Sequence, residues 1–156
     1  MNLDFSVSEV HRTQVPVTEA FAGQLLHAIH EYTNYKYTCE QTPTGYLLNP
    51  SFRAFLRDNM YRNSFIPEIT VTVSQDQGQT VLHMTGKPVK KNRIFLYIWT
   101  GVLLILGLIG AARFGLWNPP AGLIPMGMGI YGYLLGKLGT RFSFHTVVKA
   151  IARDFP

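Results

Sequence analysis

Two long apolar runs stand apart from the rest of this chain. Ile94–Ala112 is nineteen residues without a charge. At about 1.5 Å rise per residue it reaches roughly 28 Å, close to the hydrocarbon thickness of a bilayer. A helix buried in a soluble core seldom runs so long without a polar face. The second run starts between Trp117 and Ala121 and ends near Leu138. It is weaker, being glycine-rich with Pro125 near its start, but bilayer helices accept glycine and first-turn proline is tolerated. The linker Arg113–Pro120 holds Gly115, Asn118 and two prolines and leaves room only for an antiparallel pair. The pattern predicts a transmembrane helical hairpin, near residues 94–112 and 117–138.

Ahead of these runs the periodicity is that of a small α+β unit. Met1–Val10 alternates roughly, with Leu3, Phe5 and Val7 on one side, and predicts a short strand. Pro16 then breaks the chain, Thr18 offers an N-cap, and Glu19 suits a first helical turn. Phe21, Leu25, Ala28, Ile29 and Tyr32 recur at three- and four-residue steps, predicting an amphipathic helix over about Glu19–Tyr32. Tyr35–Gln41 suits a strand, Thr42–Gly45 a turn, and Tyr46–Leu48 the start of another strand. Ser51–Asp58 fits either helix or strand. The clearest β signal is Glu68–Ser74, where Ile69, Val71 and Val73 alternate with polar residues. A turn at Asp76-Gln77-Gly78 returns the chain as Gln79–Gly86, with Leu82 and Met84 on one face.

Beyond the second run, Phe144, Val147, Val148, Ile151 and Phe155 form an apolar stripe opposite Lys149 and Arg153. Such a helix either folds back onto the sheet or lies among lipid headgroups. The fold class expected is α+β: a small antiparallel sheet with covering helices, interrupted by a transmembrane helical hairpin. The domains are then 1–93, the first part of a cytosolic α+β domain; 94–138, the hairpin; and 139–156, a cytosolic amphipathic helix.

Charge sets the topology. The chain has 156 residues, a net charge of +5 and only 15% charged residues, and Arg113 is the one charge between Ile94 and Gly136. Lys87, Lys90, Lys91 and Arg93 precede the first span, and Lys137 and Arg141 follow the second. The positive-inside rule places both termini in the cytosol of a multi-pass protein of the cell inner membrane. Bases at that border attract anionic lipids, so the expected partner is the bilayer and not nucleic acid. Met1–Val10 carries Asp4 and Glu9 and no apolar core, so the first span is expected to act as the insertion signal. Gly107 with Ala111, and Gly132 with Gly136, are small-xxx-small pairs. They serve packing within the hairpin, or a face for a homo-oligomer or a membrane protein partner.

The stretch Tyr61-Arg62-Asn63-Ser64-Phe65-Ile66-Pro67, followed by a Thr/Val-rich hairpin, Pro88 and an apolar run with an early Trp99, carries a resemblance. It resembles a family of small bacterial two-span membrane proteins with a Y-R-N-S-F-x-P motif before a β-hairpin and the first span. The likeness covers about residues 60–110 and departs from the family's frequent glycine at Val71. It implies this architecture and a bacterial inner membrane, and no chemistry. Read from the residues alone, Asn63-Ser64 before Phe65-Ile66-Pro67 is a turn entering a strand.

Catalytic patterns are sparse. His27 and His30, with Glu31 beside His30, could bind zinc, but a catalytic site needs a third, well-placed ligand and an open position, and the sequence shows no such partner. Cys39 has Glu40 beside it, which disfavours the thiolate. No phosphate-binding glycine loop or serine elbow occurs. The spans hold no intramembrane acid or base, which argues against a transporter. No cofactor is expected. The reading is a membrane-tethered, non-enzymatic binding module at the cytosolic face. The alternatives are an oligomeric membrane assembly or small pore built on glycine-rich faces, and a cryptic metal-dependent enzyme.

Overall fold

The computed structural model describes residues 5–33, 35–51, 65–115 and 119–156. These residues form a five-stranded antiparallel sheet and three α-helices. In chain order they are β1 (Val7–Thr13), α1 (Phe21–Tyr32), β2 (Tyr37–Thr42), β3 (Gly45–Pro50), β4 (Pro67–Asp76), β5 (Gln79–Pro88), α2 (Lys90–Phe114) and α3 (Ile124–Asp154). A π-helical turn, Pro119–Leu123, leads into α3. The chain divides into two compact units, residues 1–89 with 140–156, and residues 90–139.

In the first unit β2 to β5 run as a meander, and β1 closes the far edge beside β5, giving the order β1-β5-β4-β3-β2. Alternation decides which face is buried. Leu48, Ile69, Val71, Leu82 and Met84 are fully buried on one face, while Thr70, Ser74 and His83 on the other are exposed. The buried face is covered by Phe21, Leu25, Ala28 and Ile29 of α1 and by Phe144, Val147, Val148, Ile151 and Phe155 at the chain's end. The C-terminal stripe thus packs on the sheet. Gly86 leaves room for it: a Cβ there would run into the Phe144 ring.

Strand β1 departs from the expectation. It spans Val7–Thr13 rather than Met1–Val10, and residues 1–4 lie outside the described set. Pairing explains the shift, since Val7 through Thr13 align with Gly86 through Thr80 of β5. Its inward positions therefore include Glu9, His11 and Thr13, polar residues that no hydrophobic pattern marks. Each meets the C-terminal segment. Glu9 Oε2 lies 3.0 Å from His145 Nδ1, His11 Nε2 lies 2.6 Å from the Phe155 carbonyl oxygen, and the Thr13 hydroxyl donates to the Pro156 carbonyl at 3.0 Å. An edge strand with a half-open inner face satisfies polar groups there without stranding them.

Helix α1 begins two residues later than Glu19. Its N-cap is Ala20, with no side-chain cap, so Thr18 does not act as the predicted cap. The Thr18 carbonyl instead accepts the Phe21 N–H at 3.0 Å. Burial of Phe21 at 0% exposure, in contact with the Tyr46 and Phe155 rings, anchors the start in place of a polar cap.

The β4–β5 connection is a two-residue turn, since Asp76 pairs with Gln79. Gln77 and Gly78 have φ of 50° and 81°, the paired left-handed values of a type I′ turn. A β-branched side chain is strained at such a φ by about 1–2 kcal/mol. Gly78→Val is therefore expected to lower the stability of the sheet unit by about that amount, read from denaturant unfolding. Gly78→Asn is expected to be nearly silent.

The second unit is an antiparallel helix pair, α2 against the first part of α3. Helix α3 continues without a break through Leu138 to Asp154. Of the two expected spans, among the described residues only Lys90–Phe114 is long and apolar enough to cross a membrane by length and composition, so the two-span hairpin is met in part. Glycines dilute the apolar character of α3's first half.

Candidate functional site

Small residues line the inside of the helix pair and large ones its outside. Gly107 and Gly110 of α2 are buried, as are Gly122, Gly129 and Gly136 on the other arm. A Cβ on Gly110 would collide with the backbone of Ala121, and one on Gly107 with Met126. At Gly129 a Cβ would lie 3.3 Å from the Thr100 carbonyl oxygen, and at Gly132 it would lie 3.4 Å from Trp99 Cδ1. The contacts descend one helix as they climb the other. Backbones approach this closely only where side chains are absent.

The outside is the reverse of a soluble protein. Phe95, Ile98, Val102, Ile105, Leu106, Leu108 and Ile109 of α2 are all exposed. So are Ile124, Met128, Ile130, Tyr131, Leu134, Leu135 and Leu138 of α3. Water-soluble monomers rarely expose contiguous apolar patches larger than a few hundred Å², and here fourteen large apolar side chains of two neighbouring helices are exposed.

Charge is segregated with equal clarity. Residues 90–139 hold Lys90, Lys91, Arg93, Arg113 and Lys137 and no Asp or Glu, so they carry the whole net charge of +5. The other nine of the fourteen Lys and Arg are matched by nine Asp and Glu. Antiparallel pairing sets Lys137 level with the start of the apolar run of α2. Four of the five bases therefore share one end, with Arg113 alone at the other.

The sheet unit offers a different kind of site. A groove of about 770 Å³ runs between α1 and the chain's last residues, lined by Gly23, Gln24, His27, Arg153, Asp154 and Phe155 among others. That size suits a small organic ligand. A second hollow of about 600 Å³ adjoins it at Val15 and Pro156. At the groove's rim, His27 Nδ1 lies 3.3 Å from Glu31 Oε2 and 3.8 Å from Asp154 Oδ2. These three donor atoms fall within 4.8 Å of one another. The Arg153 guanidinium sits 5.2 Å above the Tyr32 ring. Asp154, and after it Glu31, raise the pKa of the Tyr32 phenol by their negative charge.

This cluster differs from the one the sequence suggested. His30 does not converge with His27 and Glu31; its Nε2 accepts the Tyr37 N–H at 3.4 Å. Asp154, 123 residues beyond Glu31 in sequence, takes its place, and no local spacing reveals it.

The other residues singled out by sequence fall as follows. Lys87, Lys90, Lys91, Lys137 and Arg141 are exposed and Arg93 is half-buried. Gly107 and Gly136 are buried, and Ala111 and Gly132 half-buried. Tyr61, Arg62, Asn63 and Ser64 lie outside the described residues, as do Trp117 and the ambiguous stretch 52–58. Phe65 sits half-buried in a turn, and Pro67 opens β4. The Pro67 carbonyl accepts the Tyr37 hydroxyl at 2.9 Å in the core. Burial holds that phenol far above its ordinary pKa. Sequence reasoning missed Gly110, Gly122 and Gly129; the last two stand fourteen and seven residues before Gly136, which it had singled out, and that spacing was a readable signal of one helix face.

Cys39 packs against the core on β2. Burial first, and Glu40 second, push its thiol pKa up. Since the thiolate is the reactive form, alkylation by iodoacetamide at pH 7 is expected to run slower than for free cysteine. Its rate should keep rising with pH after the free thiol has levelled off. A faster rate than free cysteine would contradict this environment.

No protein-family model, curated protein or solved structure matches the chain. The functional reading therefore rests on its own geometry.

Proposed function

We propose that this chain is a membrane-tethered, non-enzymatic binding module. Its paired helices cross the inner membrane twice, both termini lie in the cytosol, and the groove of the sheet unit holds a small molecule or a peptide of a partner at the cytosolic face. The observation that carries the reading is the inverted helix pair, with glycines turned inward and large apolar side chains outward. Water gives such a surface no stable solution, whereas lipid does. The weak apolar signal of the second span fits the same account, because glycines spent on close packing lower hydropathy without adding a polar face.

Affinity isolation from native membranes in mild detergent, followed by mass spectrometry, tests the binding half. A Cβ at Gly23 meets nothing within 4 Å, so Gly23→Trp adds bulk to the groove without disturbing the fold. The expected result is a molecule that co-isolates with the natural chain and is lost from Gly23→Trp. An identical set from both, or none from either, would end the proposal.

A second reading draws on one observation, the convergence of His27, Glu31 and Asp154. One imidazole and two carboxylates make a donor set suited to Zn²⁺, with the groove leaving coordination positions open. This is the metal-dependent alternative with Asp154 in place of His30. Stoichiometric zinc in the purified protein, lost from Asp154→Asn, is its expected sign. The pore alternative draws less support, because Gly107, Gly129 and Gly132 are engaged within the pair.

A further inference from the structure

We infer that the basic end of the helix pair, built by Lys90, Lys91 and Arg93 of α2 and Lys137 of α3, is a binding surface for anionic phospholipid headgroups. The inference rests on the membrane-spanning reading and deepens it, naming which lipids the tether selects.

Three observations converge on it. Residues 90–139 contain no acid to neutralise these bases. Among the described residues, every ion pair involves only Arg12, His27 or His145 as the cation, so within that set these four bases have no ionic partner. Lys90, Lys91 and Lys137 are exposed. The first turn of α2 also presents backbone N–H groups without helical partners, with the positive end of its dipole beside the same bases.

Tyr97 and Trp99 are exposed one to two turns inward from Arg93, and Phe95 stacks on Trp99 with ring centroids 6.0 Å apart. Aromatic rings of this kind mark the level of the headgroups. The bases beyond them then lie at the phosphate layer, where lysine and arginine stems reach along apolar surface to keep their charge at the boundary. The opposite end has one base, Arg113, and is expected to discriminate among lipids less than the four-base end.

The chemistry recognised is a lipid phosphate with net negative charge, such as the phosphodiester of phosphatidylglycerol. Phosphatidylcholine carries the same phosphate but cancels it with its own ammonium group. Each base beside an anionic surface favours it by roughly a fivefold factor in association. A cluster of four is expected to give a preference of at least about fivefold at a site exchanging with bulk lipid.

The test uses the full chain with Trp117→Phe, so that Trp99 is the sole tryptophan, reconstituted in phosphatidylcholine vesicles or in equimolar phosphatidylcholine–phosphatidylglycerol vesicles. Bromine on the acyl chain of one lipid or the other quenches Trp99 when that lipid is its neighbour. Brominated phosphatidylglycerol is expected to quench about fivefold more effectively per molecule than brominated phosphatidylcholine, an excess that shrinks in molar salt. In the variant carrying Lys90→Gln, Lys91→Gln, Arg93→Gln and Lys137→Gln, with unchanged helical circular dichroism, the two lipids are expected to quench alike. Equal quenching in the unsubstituted chain, or a preference that survives all four changes, would overturn the lipid inference while leaving the spanning hairpin standing. Failure to enter either vesicle would overturn both.

Discussion

Gly110→Leu is expected to unpack the helix pair. A Cβ at that position meets the Ala121 backbone, and backbone cannot rotate aside as a side chain does. The helices must separate, and separation also strips contact from Gly107 and Met126 below. Overpacking a fitted interior costs about 1–3 kcal/mol even when side chains yield, so the loss here is expected at the top of that range or above it. Thermal unfolding in detergent, followed by helical circular dichroism, reads the effect. Gly127→Leu is the control, on the facing helix α3 with nothing within 4 Å of its Cβ. It should unfold at nearly the natural temperature. If the two variants behaved alike, the close approach of the helices would be wrong.

Phe144→Ala is expected to be the most damaging single change in the sheet unit. Its ring is fully buried against Gly86. Removing a buried phenylalanine side chain costs about 3–5 kcal/mol, which approaches the whole stability of a small domain. Phe142, two residues earlier on the same helix, is 73% exposed, and Phe142→Ala should leave the sheet unit's denaturant midpoint within about 0.5 kcal/mol of natural. The pair separates burial from residue type, since chemistry and helix are identical. Near-ultraviolet circular dichroism of the full chain reports the loss of packing directly.

How much of this was legible beforehand depended on whether the signal was local. Strands β4 and β5 were plain because Ile69, Val71, Leu82 and Met84 repeat at period two, and the Gln77-Gly78 turn has the residues its φ values require. The stripe from Phe144 to Phe155 announced a buried helix face, and only the structure showed that the sheet covers it. Long-range polar pairings left no trace. Nothing near Glu9 predicts His145, and nothing near His27 predicts Asp154. The start of α1 was misplaced because Thr18 looked like a cap, while the buried Phe21 ring fixed the boundary. In the candidate site, the basic residues were visible as a cluster, but their share of one end needed the antiparallel contacts of Gly110 with Ala121 and Gly132 with Trp99.

The central claim is that the two helices cross a bilayer with the basic end facing the cytosol. In a Cys39→Ser background, Gly115→Cys marks the end that holds Arg113, and Lys149→Cys marks the exposed surface of the sheet unit. Right-side-out membrane vesicles treated with a membrane-impermeant maleimide are expected to label Gly115→Cys at once, and Lys149→Cys only after permeabilisation. Labelling of both positions in intact vesicles, or of neither until permeabilisation, would contradict the account.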